Sequence, residues 1–341
     1  MMQLPPALRP GDKIGVFAPS SPGAALYPDR FKRGLAALEK SLGCDVYLPR
    51  GFEHAGVYTA GTAQERAQDF LELVTEPAVR AIITTFGGYN SSDLLSLLSP
   101  QELRANPKIL IGYSDTTALL LGYQAMTGLV SYYGPAVLPQ FGEYPEPFDY
   151  TVTSLKRSIV QGKGGFIDDP LFWTDEIIDW ARPELTRPRH LKRGAARRHW
   201  RLGCGEGTLF GGNVATLNFL VGTPYFAVPE HGIVLFLEAT GEEARLPVFR
   251  RALVQLRHCG LFDQVRALLV GRFPRCSEEQ VADIRELLLE IGSAYDFPIL
   301  GELAFGHTDP MMTLPIGCHA RVQVKSDTST IEIIGPTVSC S

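Results

Sequence analysis

The chain lacks the cysteine spacing, the charge excess and the unbroken apolar runs that would place it in the simplest classes. Its six cysteines (Cys44, Cys204, Cys259, Cys276, Cys318, Cys340) form no C-x-x-C pair. Neither a zinc ribbon nor a disulfide framework can be read from them, and reduced thiols in a cytoplasmic protein are expected. Neither sign of charge dominates: 32 Lys and Arg stand against 37 Asp and Glu, a formal net charge of -5. That balance excludes a protein built mainly to coat nucleic acid. The N-terminus has no basic start followed by an apolar run, so no signal peptide is read. No H-E-x-x-H occurs, and Gly203-x-Gly205-x-Gly207 breaks the dinucleotide fingerprint at Thr208. The stretch between Asp115 and Glu143 holds no charged side chain. Its glycines, prolines and glutamines nevertheless suit a buried helix and a buried strand better than a membrane span. The expectations are no metal, no cofactor and no membrane association.

What is present is an ordinary globular composition. The 341 residues are 45% hydrophobic and 20% charged, enough for roughly two domains at about 150 residues each. In the first half, strand-like and helix-like segments alternate. Lys13 to Ala18, Asp45 to Leu48, Val79 to Thr84 and Ile109 to Gly112 read as strands. Arg30 to Leu42 reads as a helix, and Thr62 to Leu73 as a second one opened by a Thr62/Glu65 capping box. Such repetition predicts an α/β fold with a parallel sheet covered on both faces, its ligands at the carboxyl ends of the strands. That edge carries Phe86 to Asn90 and Tyr113 to Thr116.

Composition shifts between about Gly162 and Gly207. All three tryptophans (Trp173, Trp180, Trp200) fall here, together with Arg187, Arg189, Lys192, Arg193, Arg197, Arg198 and Arg201. The expected organisation is an N-terminal α/β domain over 1–162, a linker or insertion over 163–206, and a C-terminal α/β domain with extra β structure over 207–341. In that last part Gly232 to Leu237, Val265 to Val270, His319 to Val324 and Thr330 to Ile334 read as strands. Val214 to Val221, Arg245 to His258 and Ser277 to Ile291 read as helices. The linker could be a solvated connector that seals the groove between domains. Alternatively, its indoles could stack on a nucleobase while its basic side chains neutralise a phosphate or sulfamate.

The chemical signal starts at Gly112-Tyr113-Ser114-Asp115-Thr116. A serine directly after a strand and before a helix presents its hydroxyl from a tight turn, with helix-start N–H groups facing any developing oxyanion. On its own a serine in such a turn is usually a helix cap, and Gly87-Gly88 could equally be a plain turn. A serine nucleophile needs a base and a group to orient that base. His307, in the Gly- and Pro-punctuated loop Phe305 to Pro310, is the best-placed histidine. Glu238, ending the apolar run Ile233 to Leu237, is a carboxylate at a strand's carboxyl end. Each also has an ordinary reading, as an exposed loop residue and a solvated strand-end acid.

Together these segments resemble the LD-carboxypeptidase family of serine peptidases. The resemblance covers nearly the whole chain, through Leu8-Arg9-Pro10-Gly11-Asp12-Lys13-Ile14, Gly87-Gly88-Tyr89-Asn90-Ser91 and Gly112 to Leu119. It continues through Tyr133-Gly134-Pro135, Gly211-Gly212-Asn213, Leu235-Phe236-Leu237-Glu238 and Gly306-His307. It implies Ser114 as nucleophile, His307 as base and Glu238 as orienting group, with an oxyanion hole from the backbone N–H groups of Gly88 and Asp115. It further implies a glutamine-amidotransferase-like N-terminal domain holding the nucleophile, a C-terminal domain supplying Glu238 and His307, and a homodimer. Ala239 departs from the family, many of whose members have Asp after the orienting Glu. Phe86 before the two glycines, where the peptidoglycan-recycling branch usually has Arg, makes the chain look like the microcin immunity branch. The implied activity is hydrolysis of an acyl–nitrogen bond in an aminoacyl or peptidyl nucleotide. The alternatives are release of terminal D-alanine from murein tetrapeptides, or a catalytically silent binding protein. Gly87, Tyr89, Asn90, Trp180 and Trp200 are the expected contacts to this small-molecule or peptide substrate.

Overall fold

The computed structural model describes residues 2–52, 54–194 and 197–340. Five strands, β1 (Lys13–Phe17), β2 (Asp45–Tyr47), β3 (Val79–Thr84), β4 (Ile109–Gly112) and β5 (Ser131–Tyr133), run parallel. Their spatial order is β5-β4-β3-β1-β2, a doubly wound arrangement whose direction of winding reverses between β1 and β3. Ligands in such sheets bind beyond the carboxyl ends of the strands at that reversal. The loops leaving β1, β3 and β4 therefore frame the functional edge.

Strands β3 and β4 are buried almost throughout, which explains their continuous apolar runs. The expected capping box is present: Thr62 Oγ1 accepts from the Glu65 N–H (3.2 Å), and the Glu65 carboxylate accepts from the Thr62 N–H (2.7 Å). The helix Pro28–Leu42 begins on a proline and ends at Gly43 in the left-handed region (φ 68), the usual asymmetry of helix ends. The charge-free stretch is indeed a helix, Thr117–Thr127, followed by β5, and both are buried. That helix packs against β4 and β5, against the turn Ser91–Leu97 and the helix Pro100–Ala105, and against the helix Val214–Leu220 of the second half, which leaves no face for a charged side chain.

The remaining strands are β6 (Gly165–Phe166), β7 (Phe172–Trp173), β8 (Lys192–Arg193), β9 (Arg198–Arg201), β10 (Gly203–Asn213), β11 (Ile233–Glu238), β12 (Val265–Gly271), β13 (Ile299–Leu303), β14 (Leu314–Ile316), β15 (His319–Val324) and β16 (Ser329–Ile334). The second sheet runs β6-β16-β15-β10-β11-β12-β13-β9. Its centre, β10 to β13, is parallel, and antiparallel strands flank it on both sides.

Three features differ from the sequence expectation. The segment 163–206 is not a plain connector: β6, β9 and the start of β10 belong to the second sheet, and β7 pairs with β8 in a short ribbon. A boundary at 207 cuts through β10. Its eleven residues, Gly-Cys-Gly-Glu-Gly-Thr-Leu-Phe-Gly-Gly-Asn, carry too few side chains to show an alternating pattern. A Cβ at Gly211 (φ +152) would collide with the Phe236 carbonyl oxygen, so packing against β11 selects glycine there. Finally, β14 crosses back to pair antiparallel with β5, giving the first sheet an edge strand from the last thirty residues of the chain. Among the described residues no helix is long and apolar enough to cross a membrane.

Candidate active site

Ser114 stands two residues past β4, at the start of a 3-10 turn, with a left-handed backbone (φ 61). A side chain held in that region marks strain that the surroundings must enforce. Gly87 lies directly over it. A Cβ on Gly87 would sit 3.2 Å from the Ser114 Cβ and 3.3 Å from its Oγ, with the Asp115 nitrogen 3.6 Å away. Gly88 follows with φ +154 and packs on the hydroxyls of Ser20 and Ser21. The 88–91 loop is braced from two sides. Ser20 Oγ accepts from the backbone N–H groups of Tyr89 (2.9 Å) and Asn90 (3.1 Å). The Asp115 carboxylate accepts from the Ser91 N–H (3.0 Å), while Ser91 Oγ donates to the Asp115 carbonyl (2.6 Å).

Two residues from the second half of the chain reach this serine. His307 Nε2 is 3.1 Å from Ser114 Oγ, and its Nδ1 is 2.7 Å from Glu238 Oε2. Glu238 is buried at the end of β11. Gly306 (φ +91) allows the His307 loop to lie on it, because a Cβ there would be 2.9 Å from both Glu238 Cβ and Oε2. Burial pushes the imidazole pKa down, but Glu238, Glu243 and Asp309 outweigh it, and the net direction is up. Burial conversely pushes the Glu238 carboxyl up. His307, Tyr133 and Asn213 outweigh that, and it lies below its usual value. The pair therefore favours imidazolium facing carboxylate.

A cavity of about 340 Å³ opens onto His307. Trp180 forms one wall, edge-on to Tyr27 (5.4 Å) and Phe86 (5.6 Å), with the Arg30 guanidinium 4.3 Å from its ring centre. Arg30 also donates to the carbonyls of Leu138 and Pro139, and burial lowers its pKa to about 10. Arg189 lies beneath the cavity, paired with Glu143 (2.7 Å) and with Asp309 (2.8 Å) of the His307 loop.

Of the expected substrate contacts, Gly87 and Trp180 lie at the site. Trp200 does not: it is 7% exposed, on β9, with its indole against Gly301, and it fills the core at the sheet's edge. Tyr89 is 87% exposed and Asn90 binds Ser20 with its side chain, and neither is among the cavity's walls. Arg189 of the basic cluster, with the partners of Arg187 and Lys192, lines the cavity, and most of the cluster is paired. Arg187 pairs with Glu176, Lys192 with Asp175, Arg197 with Asp169 and Arg198 with Glu278, while Arg201 donates to the carbonyls of Gly292 and Tyr295. These contacts strap the 163–206 segment to itself and to the second sheet's surroundings. Among the described residues no group of three or more His, Cys, Asp or Glu is placed to hold a metal ion.

Sequence reasoning gave Tyr133 and Asn213 no part in the site, and it placed Tyr113 on the functional edge and Arg189 in the basic cluster without the partners they have here. Tyr113 packs edge-on to His307 at 5.1 Å, and Asn213 donates to Glu243 (2.8 Å) beside the Glu238 carboxylate. Tyr133 and Asn213 stood in motifs, yet their apolar or glycine-rich settings read as packing.

A parallel α/β sheet that presents a serine from a strained turn, beside histidine and a buried carboxylate, is the frame of a serine hydrolase. Residues 14–134 match the LD-carboxypeptidase N-terminal domain and residues 206–322 the LD-carboxypeptidase C-terminal domain. The chain belongs to the LD-carboxypeptidase family of serine peptidases. It is 35% identical to the microcin C7 self-immunity protein MccF of Escherichia coli, over 95% of this chain and 93% of that one. It is 30% identical to a probable murein peptide carboxypeptidase of Bacillus subtilis, over 96% and 94%. A structure of MccF in complex with glutamyl sulfamoyl guanosine superposes with a TM-score of 0.90 at 34% identity, covering 98% and 99%. An MccF-like protein from Bacillus anthracis gives 0.89 at 30% identity, with the same coverage.

Proposed function

We propose that this enzyme hydrolyses an acyl–nitrogen bond in an aminoacyl or peptidyl nucleotide, with Ser114 as nucleophile, His307 as base and Glu238 as orienting group. His307 Nε2 takes the Ser114 proton as Oγ attacks the carbonyl carbon, and Glu238 stabilises the imidazolium that forms. The same proton passes to the departing nitrogen. Water, activated by His307, then cleaves the acyl-enzyme. The backbone N–H groups of Gly88 and Asp115 are the proposed oxyanion donors, each worth about 3 to 4 kcal/mol in groups of this kind. A homodimer in the cytoplasm is part of the same proposal.

One observation carries the substrate class: the Trp180 indole shares its cavity with His307. Arg30 covers one indole face, and a nucleobase would stack on the other, a contact worth about 1 to 3 kcal/mol. The MccF relatives, solved with glutamyl sulfamoyl guanosine and with aspartyl sulfamoyl adenosine, support this reading. The test compares Trp180→Ala with the wild type on an aminoacyl sulfamoyl adenosine and on a D-alanine-terminated tetrapeptide, with products read by mass spectrometry. A selective rise in KM for the nucleotide supports the proposal. Cleavage of the tetrapeptide alone makes the enzyme a murein peptide carboxypeptidase.

A further inference from the structure

We propose that the Tyr133 hydroxyl is a positioning group that locks the nucleophile turn of the first sheet to the carboxylate of the second. The inference rests on the reading of Ser114, His307 and Glu238 given above and adds a fourth member to that set. Tyr133 ends β5, beside Gly112 at the end of β4. Its Oη donates to Glu238 Oε1 at 2.7 Å and accepts the backbone N–H of Ser114 at 3.2 Å. With His307 between Glu238 Oε2 (2.7 Å) and Ser114 Oγ (3.1 Å), the hydrogen bonds close a ring that begins and ends on Ser114. One path runs through the serine's side chain and the other through its backbone.

The ring crosses the two sheets twice, because Ser114 and Tyr133 belong to the first and Glu238 and His307 to the second. Tyr133 is fully buried, with Phe236 5.3 Å and Phe305 6.5 Å from its ring. Those two phenylalanines precede Glu238 and His307 by two residues each, so the phenol is wedged between the segments that carry the acid and the base. A phenylalanine would fill that space equally well. What it could not do is satisfy a buried carboxylate oxygen and the amide of a strained serine at once. The hydroxyl thus has two tasks: it fixes the Ser114 turn in its left-handed conformation, and it withdraws charge from the carboxylate that His307 leans on.

The second task gives a readout that packing alone would not. The charged or titratable groups around His307 are Glu238 from β11, Glu243 from the turn Gly241–Ala244, Asp309 from its own loop, and Tyr113 from the end of β4, with Arg189 paired to Asp309. Of these, the Tyr133 hydroxyl bonds only Glu238, while its ring lies edge-on to that of Tyr113 at 6.3 Å, a contact that Tyr133→Phe keeps. Removing the hydroxyl concentrates negative charge on the oxygen facing His307 and stabilises the imidazolium. The acidic limb of reactivity then moves to higher pH.

The experiment follows the rate of Ser114 modification by a fluorophosphonate across pH in the full-length protein, so it needs no natural substrate. Tyr133→Phe is expected to slow labelling by about tenfold to a hundredfold at neutral pH and to shift the acidic limb upward. Site-specific 3-fluorotyrosine at position 133 keeps the shape, donates more strongly, and is expected to shift the limb downward. This variant carries the test should Tyr133→Phe not fold. A limb unmoved in both, whatever the change in thermal stability, overturns the positioning role while leaving the nucleophile assignment intact. Labelling that persists in Ser114→Ala overturns that assignment instead.

Discussion

Replacing Glu238 by glutamine keeps the side chain's shape and removes one buried charge, which makes it the sharpest test of the proposed mechanism. One carboxylate oxygen accepts from Tyr133 and the other faces His307, each at 2.7 Å. An amide can accept at only one of those positions, and its NH2 must confront a donor at the other. The attraction between an imidazolium and a carboxylate at about 4 Å is roughly 4 kcal/mol at an effective dielectric constant near 20. Its loss from the transition state corresponds to about a thousandfold in rate. The wrong histidine tautomer adds to this, and the equivalent change in a Ser-His-Asp triad costs roughly 10⁴-fold. The pH profile shifts as well. Burial pushes His307 down and Glu238 is the largest influence raising it, so removing the charge moves the acidic limb of kcat/KM to lower pH, opposite to the effect of Tyr133→Phe. The assay is kcat/KM against pH for purified Glu238→Gln, with circular dichroism to confirm folding. A loss under tenfold, or a limb that rises, refutes the assignment of Glu238.

Ser114→Ala should abolish hydrolysis and fluorophosphonate labelling, by about 10⁴-fold or more, while its melting temperature stays close to that of the wild type, because alanine keeps the Cβ that the left-handed position (φ 61) already accommodates. Gly306→Ala should lower both stability and kcat, since the new methyl enters a left-handed position and presses on Glu238; a variant with unchanged kcat would show that the loop adapts. Arg189→Ala should destabilise the fold by about 3 kcal/mol in urea unfolding, because it leaves the buried Asp309 carboxylate without its cation and Glu143 with Arg30 alone, 3.4 Å away. Incubation with EDTA should leave activity unchanged, and a chelation loss restored by zinc would contradict the metal-free mechanism.

What the sequence determined by itself was local. Ser114 between an apolar run and a helix start, Glu238 at the end of five apolar residues, and the Thr62/Glu65 cap all follow from short-range rules of strand burial and helix ends. The parallel first sheet was legible for the same reason, since strands buried on both faces advertise themselves as continuous apolar runs. The site's assembly was not local. His307 Nε2 meets Ser114 Oγ across 193 residues of chain, and no periodicity in either segment encodes that meeting. The long strand β10 stayed hidden because its glycines are selected by the approach of a neighbouring strand, not by a face of side chains. Trp180 follows Ile177-Ile178-Asp179 and Trp200 stands between His199 and Arg201, and neither setting says where the indole goes. Only packing sends one to the cavity and the other into the core beside Gly301. The arginines of the same segment read as one basic cluster, and only the fold supplied the carboxylates of Arg187, Arg189, Arg197 and Arg198. Tyr133 is the clearest case: in sequence it is one more aromatic residue in a buried stretch. Its hydroxyl has meaning only where two sheets bring a carboxylate and a serine amide to the same point.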